Sequence, residues 1–145
     1  MVCLGNICRS PLAEGILKNK VKHLDITIDS AGTAGYHIGK PPDIRSLEIA
    51  RKHNINLAEQ RARQFNRQDF DNFDVIYAMD LNNYSHLIAL SENQNEREKI
   101  KLILDEIYPN LKKSVPDPYY DEEEGFQKIY TILEKACNKI ASKIG

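Results

Sequence analysis

Short β-branched runs alternate along this chain with segments whose apolar residues recur every three or four positions, and that alternation limits the fold more than any other feature. "ITIDSAGT" (26–33) reads as a strand ending in a turn, and "VIYAMD" (75–80) as a short strand of buried type. "KIKLIL" (99–104) suits either a further strand or the extension of a helix. Leu12, Ile16, Leu17 and Val21 space a helix over about Ser10–Lys22, with Pro11 in the first turn, where no helical N–H is lost. "PPDIRSLEIARKHN" (41–54) predicts a second helix with Ile44, Leu47 and Ala50 on its apolar face and Asn54 as its stop. A third helix follows from Leu81, Tyr84, Leu87 and Ile88. The clearest stripe closes the chain: Ile129, Tyr130, Leu133, Ala136, Cys137, Ile140, Ala141 and Ile144, in a helix beginning near Phe126.

Strands and helices in this order imply right-handed βαβ crossovers, hence an α/β fold with a parallel sheet covered on both faces. In such sheets ligands bind where the carboxyl end of a strand meets a helix N-terminus. The segment "VCLGNICRSPLAEG" (2–15) occupies such a position. Only Met1 and Val2 precede Cys3, whereas a central strand usually has about 5 residues, so the expectation is that the natural chain begins several residues earlier with an apolar run. At 145 residues, one domain spanning 1–145 is expected.

The loop's chemistry follows from its residue types. Cys3 and Arg9 bound a C-x5-R span, and a curled loop of this length converges its backbone N–H groups on one point, with the helix N-terminus adding positive potential. Gly5 permits close backbone approach, and Asn6 tolerates a left-handed conformation while its side chain braces the turn. The product is a cup for a tetrahedral oxyanion. Arg9 would close it with paired hydrogen bonds, a geometry lysine does not match. Cys3 would sit at its base, where surrounding donors and a nearby cation draw a thiol from about 8.5 toward 4 to 7. A thiolate beneath a bound phosphate is a nucleophile aimed at phosphorus, and Ser10 can donate to that sulfur when it leaves.

Composition narrows the alternatives. Lys plus Arg (20) nearly balance Asp plus Glu (21), so no global field draws the protein to nucleic acid or to a membrane surface, and any anion must be held locally. No apolar run approaches the ~18 residues of a transmembrane helix and no signal core is present, which predicts a cytoplasmic protein. Cys3, Cys8 and Cys137 are too few for a disulfide framework, and Cys137 falls on an apolar stripe, as a core residue would. His23, His37, His53 and His86 show no ligand spacing, so they read as structural or surface residues and no metal or other cofactor is expected.

The opening segment resembles the signature of the low-molecular-weight protein tyrosine phosphatases. "DPYY" (117–120) is similar to that family's general-acid loop, and the likeness continues through "DSAGT" (29–33), "ARQF" (62–65) and "FDVIYAMDLNN" (73–83) in the family's order. From the residues alone nothing local separates Asp117 from Asp105 or Asp121, although Pro116 and Pro118 stiffen its loop. The resemblance implies a four-stranded parallel sheet flanked by helices and a two-step, metal-free hydrolysis of phosphotyrosine that releases inorganic phosphate. Carried over by position, Cys3 attacks phosphorus. Arg9 and the loop from Leu4 through Gly5, Asn6, Ile7, Cys8 and Ser10 bind the phosphoryl oxygens. Asp117 protonates the leaving phenolate and then serves as base toward water.

Further roles are implied for Asn6, Ser10 and Ser30, which would support the loop, and for Leu4, Ile7, Tyr36 and Tyr119, which would line the substrate pocket. Cys8 is implied to pair reversibly with Cys3 against oxidation, with plain loop packing as the other reading. Tyr119 and Tyr120 could also be phosphorylated, as in some relatives. Where the family often carries glycine after the two tyrosines, this chain has Asp121, Glu122, Glu123 and Glu124, which either disfavours acidic phosphopeptides or forms a solvated helix start. Nothing demands more than a monomer. A thioredoxin-coupled arsenate reductase shares the loop but needs two further cysteines. A non-catalytic oxyanion binder would have no use for a nucleophile paired with an acid, and a metal module through Cys3 and Cys8 lacks further ligands.

Overall fold

The computed structural model describes residues 1–119 and 123–144. Tyr120, Asp121 and Glu122, the middle of the tyrosine and acidic run, lie outside the described residues. Four short strands form one parallel sheet in the order β2-β1-β3-β4: β1 (Val2–Cys3), β2 (Ala31–Gly32), β3 (Ile76–Ala78) and β4 (Ile100–Leu102). The helices are α1 (Arg9–Lys20), α2 (Ile44–Lys52), α3 (Asp69–Asn72), α4 (Leu81–Leu90), α5 (Gln94–Lys99) and α6 (Glu123–Ile144), with a 3₁₀ turn at Ile103–Glu106. "KIKLIL" thus divides between the end of α5, β4 and that turn.

Alternation along β1 assigns its two residues to opposite sides. Cys3 joins a core built from Leu12, Ile16 and Leu17 of α1 against Leu133, Ala136, Cys137 and Ile140 of α6. Val2 joins the other core, with Ala31, Phe65, Phe70, Ala78, Leu87 and Leu102. Helices therefore cover both faces, as parallel strands require. His53 stacks on the buried Tyr130 of α6, ring centroids 3.8 Å apart, which gives that histidine a packing role.

Three expectations need correction. The strand read over 26–33 shrinks to Ala31–Gly32, because pairing runs only as far as Val2 and Cys3 meet it. In α2 the inward residues are Ser46, Ile49 and Ala50; Ile44 is exposed, because the Ser46 hydroxyl turns toward the opening loop and donates to Cys8 O. Leu81, in the first turn of α4, is likewise exposed, whereas Asn83 is buried by its capping role. Asn54 does follow the end of α2 in the left-handed region, φ 63°. The acidic run is in part a helix start, since α6 begins at Glu123 and Glu124 is exposed.

Candidate active site

The loop between β1 and α1 binds four of its carbonyls to the rest of the protein and keeps its amides. Cys3 O accepts from Thr33 N, Leu4 O from Ala34 N, Ile7 O from Asp43 N at 2.8 Å, and Cys8 O from Leu12 N and the Ser46 hydroxyl. Among the described residues, the N–H groups of Gly5, Asn6, Ile7 and Cys8 donate to no protein acceptor. Buried or half-buried donors left unspent beside a helix N-terminus are the elements of an anion cradle. The helix end is itself open: Cys8, at the N-cap, makes no side-chain cap, and the first turn of α1 carries no acidic residue to occupy its positive end.

Asn6 adopts φ 57°, the left-handed conformation its type tolerates. Its orientation is fixed from both ends. Oδ1 accepts from Arg63 N at 3.0 Å, so Nδ2 faces the two serines, donating to Ser10 Oγ at 2.8 Å and Ser30 Oγ at 2.9 Å. Ser30 in turn donates to Glu14 Oε1 at 2.6 Å, while Lys18 Nζ donates to Glu14 Oε2. Because the carboxylate accepts only, Ser30 must give it its proton, and both Asn6 Nδ2 hydrogens are then spent on the serine oxygens. Ser10, already accepting from Asn6, has Cys3 Sγ at 3.0 Å and Ala31 O at 3.5 Å, and when Cys3 is a thiolate, which only accepts, the Ser10 O–H is the donor of that contact. The network thus leaves a hydroxyl aimed at the sulfur. Glu14 was not singled out in the sequence; its 3% exposure on an α-helix supplies the reason it matters.

Arg9 is 2% exposed and is pinned by Asp80, a residue that no motif of the opening loop includes. Its Nη1 donates to Asp80 Oδ2 at 2.7 Å and to Val115 O at 2.9 Å, while Nη2 lies 3.7 Å from Asp117 Oδ2. Asp80 also caps α4 by accepting from Asn83 N, and Asn83 Oδ1 accepts from Asp80 N in return. The signal was present in "MDLNN", an aspartate after a strand and three residues before an asparagine, the spacing of a capping box.

Around these residues lies a cleft of about 280 Å³ lined by Cys3, Leu4, Gly5, Ile7, Cys8, Arg9, Tyr36, His37, Asp117 and Tyr119. The residues expected from opposite ends of the chain therefore meet in one place, with Asn6, Ser10 and Ser30 buried behind them. Two details differ from expectation. Gly5 makes room for a side chain, since a Cβ there would stand 2.9 Å from His37 Cδ2, while the close backbone approach occurs at Gly32, whose Cβ would stand 2.7 Å from Leu4 O. His37, read only as structural or surface, lies between Tyr36 and Tyr119, with ring centroids 6.4 and 6.2 Å away.

Cys3, Cys8 and Cys137 are all free and buried. Burial pushes the Cys8 thiol far up, helped by the nearby Asp43, Cys3 and Asp117 charges, and pushes Cys137 up to about 12. Neither is a thiolate near neutrality. Among the described residues no three His, Cys, Asp or Glu side chains are grouped to hold a metal, and no helix is long and apolar enough to cross a membrane.

The family model described as low molecular weight phosphotyrosine protein phosphatase matches residues 1–145. The low molecular weight phosphotyrosine protein phosphatase of Schizosaccharomyces pombe is 41% identical over 91% of this chain and 86% of its own length. A protein tyrosine phosphatase structure from Entamoeba histolytica superposes with a TM-score of 0.91 at 38% identity, covering 99% of this chain and 93% of that one. Vibrio vulnificus Wzb, in complex with benzylphosphonate, superposes with a TM-score of 0.88 at 30% identity, covering 98% and 94%.

Proposed function

This chain belongs to the low molecular weight phosphotyrosine protein phosphatase family and is a hydrolase of phosphotyrosine working through a cysteine, and we propose that Cys3 is that cysteine. The observation that carries the assignment is the loop's division of labour: the carbonyls of Cys3, Leu4, Ile7 and Cys8 bound to the rest of the protein, amides from Gly5 to Cys8 unspent, and a hydroxyl held against the Cys3 sulfur. Donors of this kind act on the charge that builds on the phosphoryl oxygens in the transition state, where they are worth more than in the ground state.

In this reading the Cys3 thiolate attacks phosphorus, forming the S–P bond as the P–O bond to the aryl group breaks. Arg9 Nη2 and the loop amides from Leu4 to Ser10 hold the phosphoryl oxygens. Asp117 gives its proton to the departing phenolate, and the resulting carboxylate takes a proton from the water that attacks the cysteinyl phosphate. Phosphate leaves, and the Ser10 hydroxyl steadies the returning thiolate. Leu4, Ile7, Tyr36 and Tyr119 flank the aryl ring, and the depth of Cys3 beneath them favours phosphotyrosine over shorter phosphoserine. The benzylphosphonate complex of Wzb supports this class of ligand. Cys8, held protonated by burial, is not a second nucleophile toward phosphorus; its pairing with Cys3 would be condensation of a Cys3 sulfenic acid with the Cys8 thiol, forming the S–S bond and releasing water, a step that the raised Cys8 pKa slows. We read residues 1–145 as one domain acting as a cytoplasmic monomer on phosphotyrosine proteins, without cofactor or nucleic-acid partner; the even charge balance supports the last point.

The test is hydrolysis of para-nitrophenyl phosphate by the reduced chain, with and without EDTA, beside Cys3→Ser. Turnover that survives the chelator and vanishes in Cys3→Ser supports the reading; turnover in Cys3→Ser refutes it.

A further inference from the structure

Asp117 carries the proton-transfer role in the reading above, yet little holds its side chain. The carboxylate is 46% exposed, and among the described residues its contacts are Tyr119 N, which donates to Oδ1 at 3.1 Å, and Arg9 Nη2 at 3.7 Å. The position of this loop must be set elsewhere. At its start it is fixed by Val115, whose N–H donates to Met79 O and whose carbonyl accepts from Arg9. Its other end meets Arg45.

Arg45 stands in the first turn of α2. Its guanidinium forks onto Asp43, Nε to Oδ1 and Nη2 to Oδ2, both at 3.0 Å, and Nη2 also donates to Tyr119 O at 2.7 Å. The same planar group lies 4.5 Å from the ring centroid of the buried Phe126 at the start of α6 and 5.9 Å from that of Tyr119. Three directions are thus fixed at once by a flat fork that lysine does not reproduce. The base on which Arg45 stands belongs to the nucleophile's loop: Asp43 N donates to Ile7 O, and Ser46 Oγ to Cys8 O. A continuous path therefore runs from the catalytic loop through Asp43 and Arg45 to the Tyr119 carbonyl, and back through the Tyr119 N–H to Asp117.

We propose that Arg45 is a positioning residue for proton transfer, clamping the Tyr119 carbonyl to α2 so that Asp117 is held at a set reach above Cys3. The inference rests on Asp117 being the acid. General acids act only within hydrogen-bond reach of the leaving oxygen, and misplacement by about 1 Å can cost on the order of 100-fold. The cost falls on the step that needs the proton, so it should scale with how badly the leaving group needs it.

The experiment measures kcat/KM, which reports aryl departure, for phenyl phosphate and for 2,4-dinitrophenyl phosphate. The variants are Arg45→Met, which keeps apolar bulk against Phe126, Arg45→Lys, which keeps one donor, Asp117→Ala, and the Arg45→Met/Asp117→Ala pair. Thermal stabilisation by inorganic phosphate reports an intact catalytic loop in each. Expected for Arg45→Met is a loss on the order of 10-fold with phenyl phosphate and less than about 2-fold with the dinitrophenyl ester, since an activated leaving group departs without the proton. Arg45→Lys should recover part of it, and Arg45→Met should add nothing once Asp117 is alanine.

An equal loss on both esters, or a full additional loss in the Asp117→Ala background, would overturn the proposal and make Arg45 a brace of the catalytic loop only. If Asp117→Ala itself were indifferent to the leaving group, the acid assignment would fall, and the Arg45 inference with it.

Discussion

Residues 3–10 bury Asn6, Arg9 and Ser10 and bond each of the three from more than one direction, whereas 116–119 leave Asp117 nearly half exposed on a segment fixed at its two ends. The first region has Asn6 at 3%, Arg9 at 2% and Ser10 at 0% exposure, locked to Ser30, Arg63, Asp80 and Glu14 within a few bonds. The contrast matches the chemistry assigned to each. Charge stabilisation gains from donors that do not reorganise during reaction, because reorganisation would be charged to the barrier. Proton transfer needs an acid that meets leaving groups of varied shape and then turns to water.

Substitutions can break that comparison, and their expected effects differ in size. Removing the nucleophile should matter most: Cys3→Ser should lose more than about 10⁴-fold in kcat, since without a covalent route only the cradle remains, while phosphate still raises its melting temperature. Asp117→Ala should lose about 10²- to 10³-fold in kcat/KM on phenyl phosphate with its melting temperature unchanged, as befits an exposed group; a large stability loss would contradict the division drawn here. Asn6→Ala attacks the rigid region. It leaves Arg63 N without its acceptor, deprives Ser10 and Ser30 of a donor and puts alanine at φ 57°, so unfolding should become easier by about 2–4 kcal/mol, measured by urea denaturation, alongside a fall in kcat. Tyr36 is 73% exposed, and Tyr36→Ala should raise KM for aryl phosphates a fewfold with kcat nearly kept.

The buried thiols sharpen the comparison through pH. The folded protein keeps Cys8 and Cys137 protonated, whereas the unfolded chain loses those protons above about 9. Above that value the native state binds more protons than the unfolded one, so stability is full below it and falls as pH rises toward 12. Urea midpoints taken across that range check the sign.

Part of this was legible in sequence. The C-x5-R loop, Asn6 and the stripe from Ile129 to Ile140 each express a local rule, a turn, a left-handed residue or a helical period, and each lies where those rules put it. Glu14, Asp80 and Arg45 express no local rule toward the site. Asp80 sits 71 residues from the arginine it pins, and Arg45 is 74 residues from the carbonyl it holds, so only the folded topology reveals those partners. Ile44 failed for the opposite reason: its spacing suited an apolar face, but the neighbouring loop drew Ser46 inward instead.

The central claim is that the phosphoryl group passes through Cys3. Its most direct test is to quench Asp117→Ala in acid during turnover of para-nitrophenyl phosphate and to locate any phosphoryl adduct by peptide mass spectrometry. The account predicts one phosphoryl group on the peptide containing Cys3, assigned to that sulfur and absent from Cys3→Ser. An adduct on Cys8 or elsewhere, or turnover persisting in Cys3→Ser with no adduct, would contradict it.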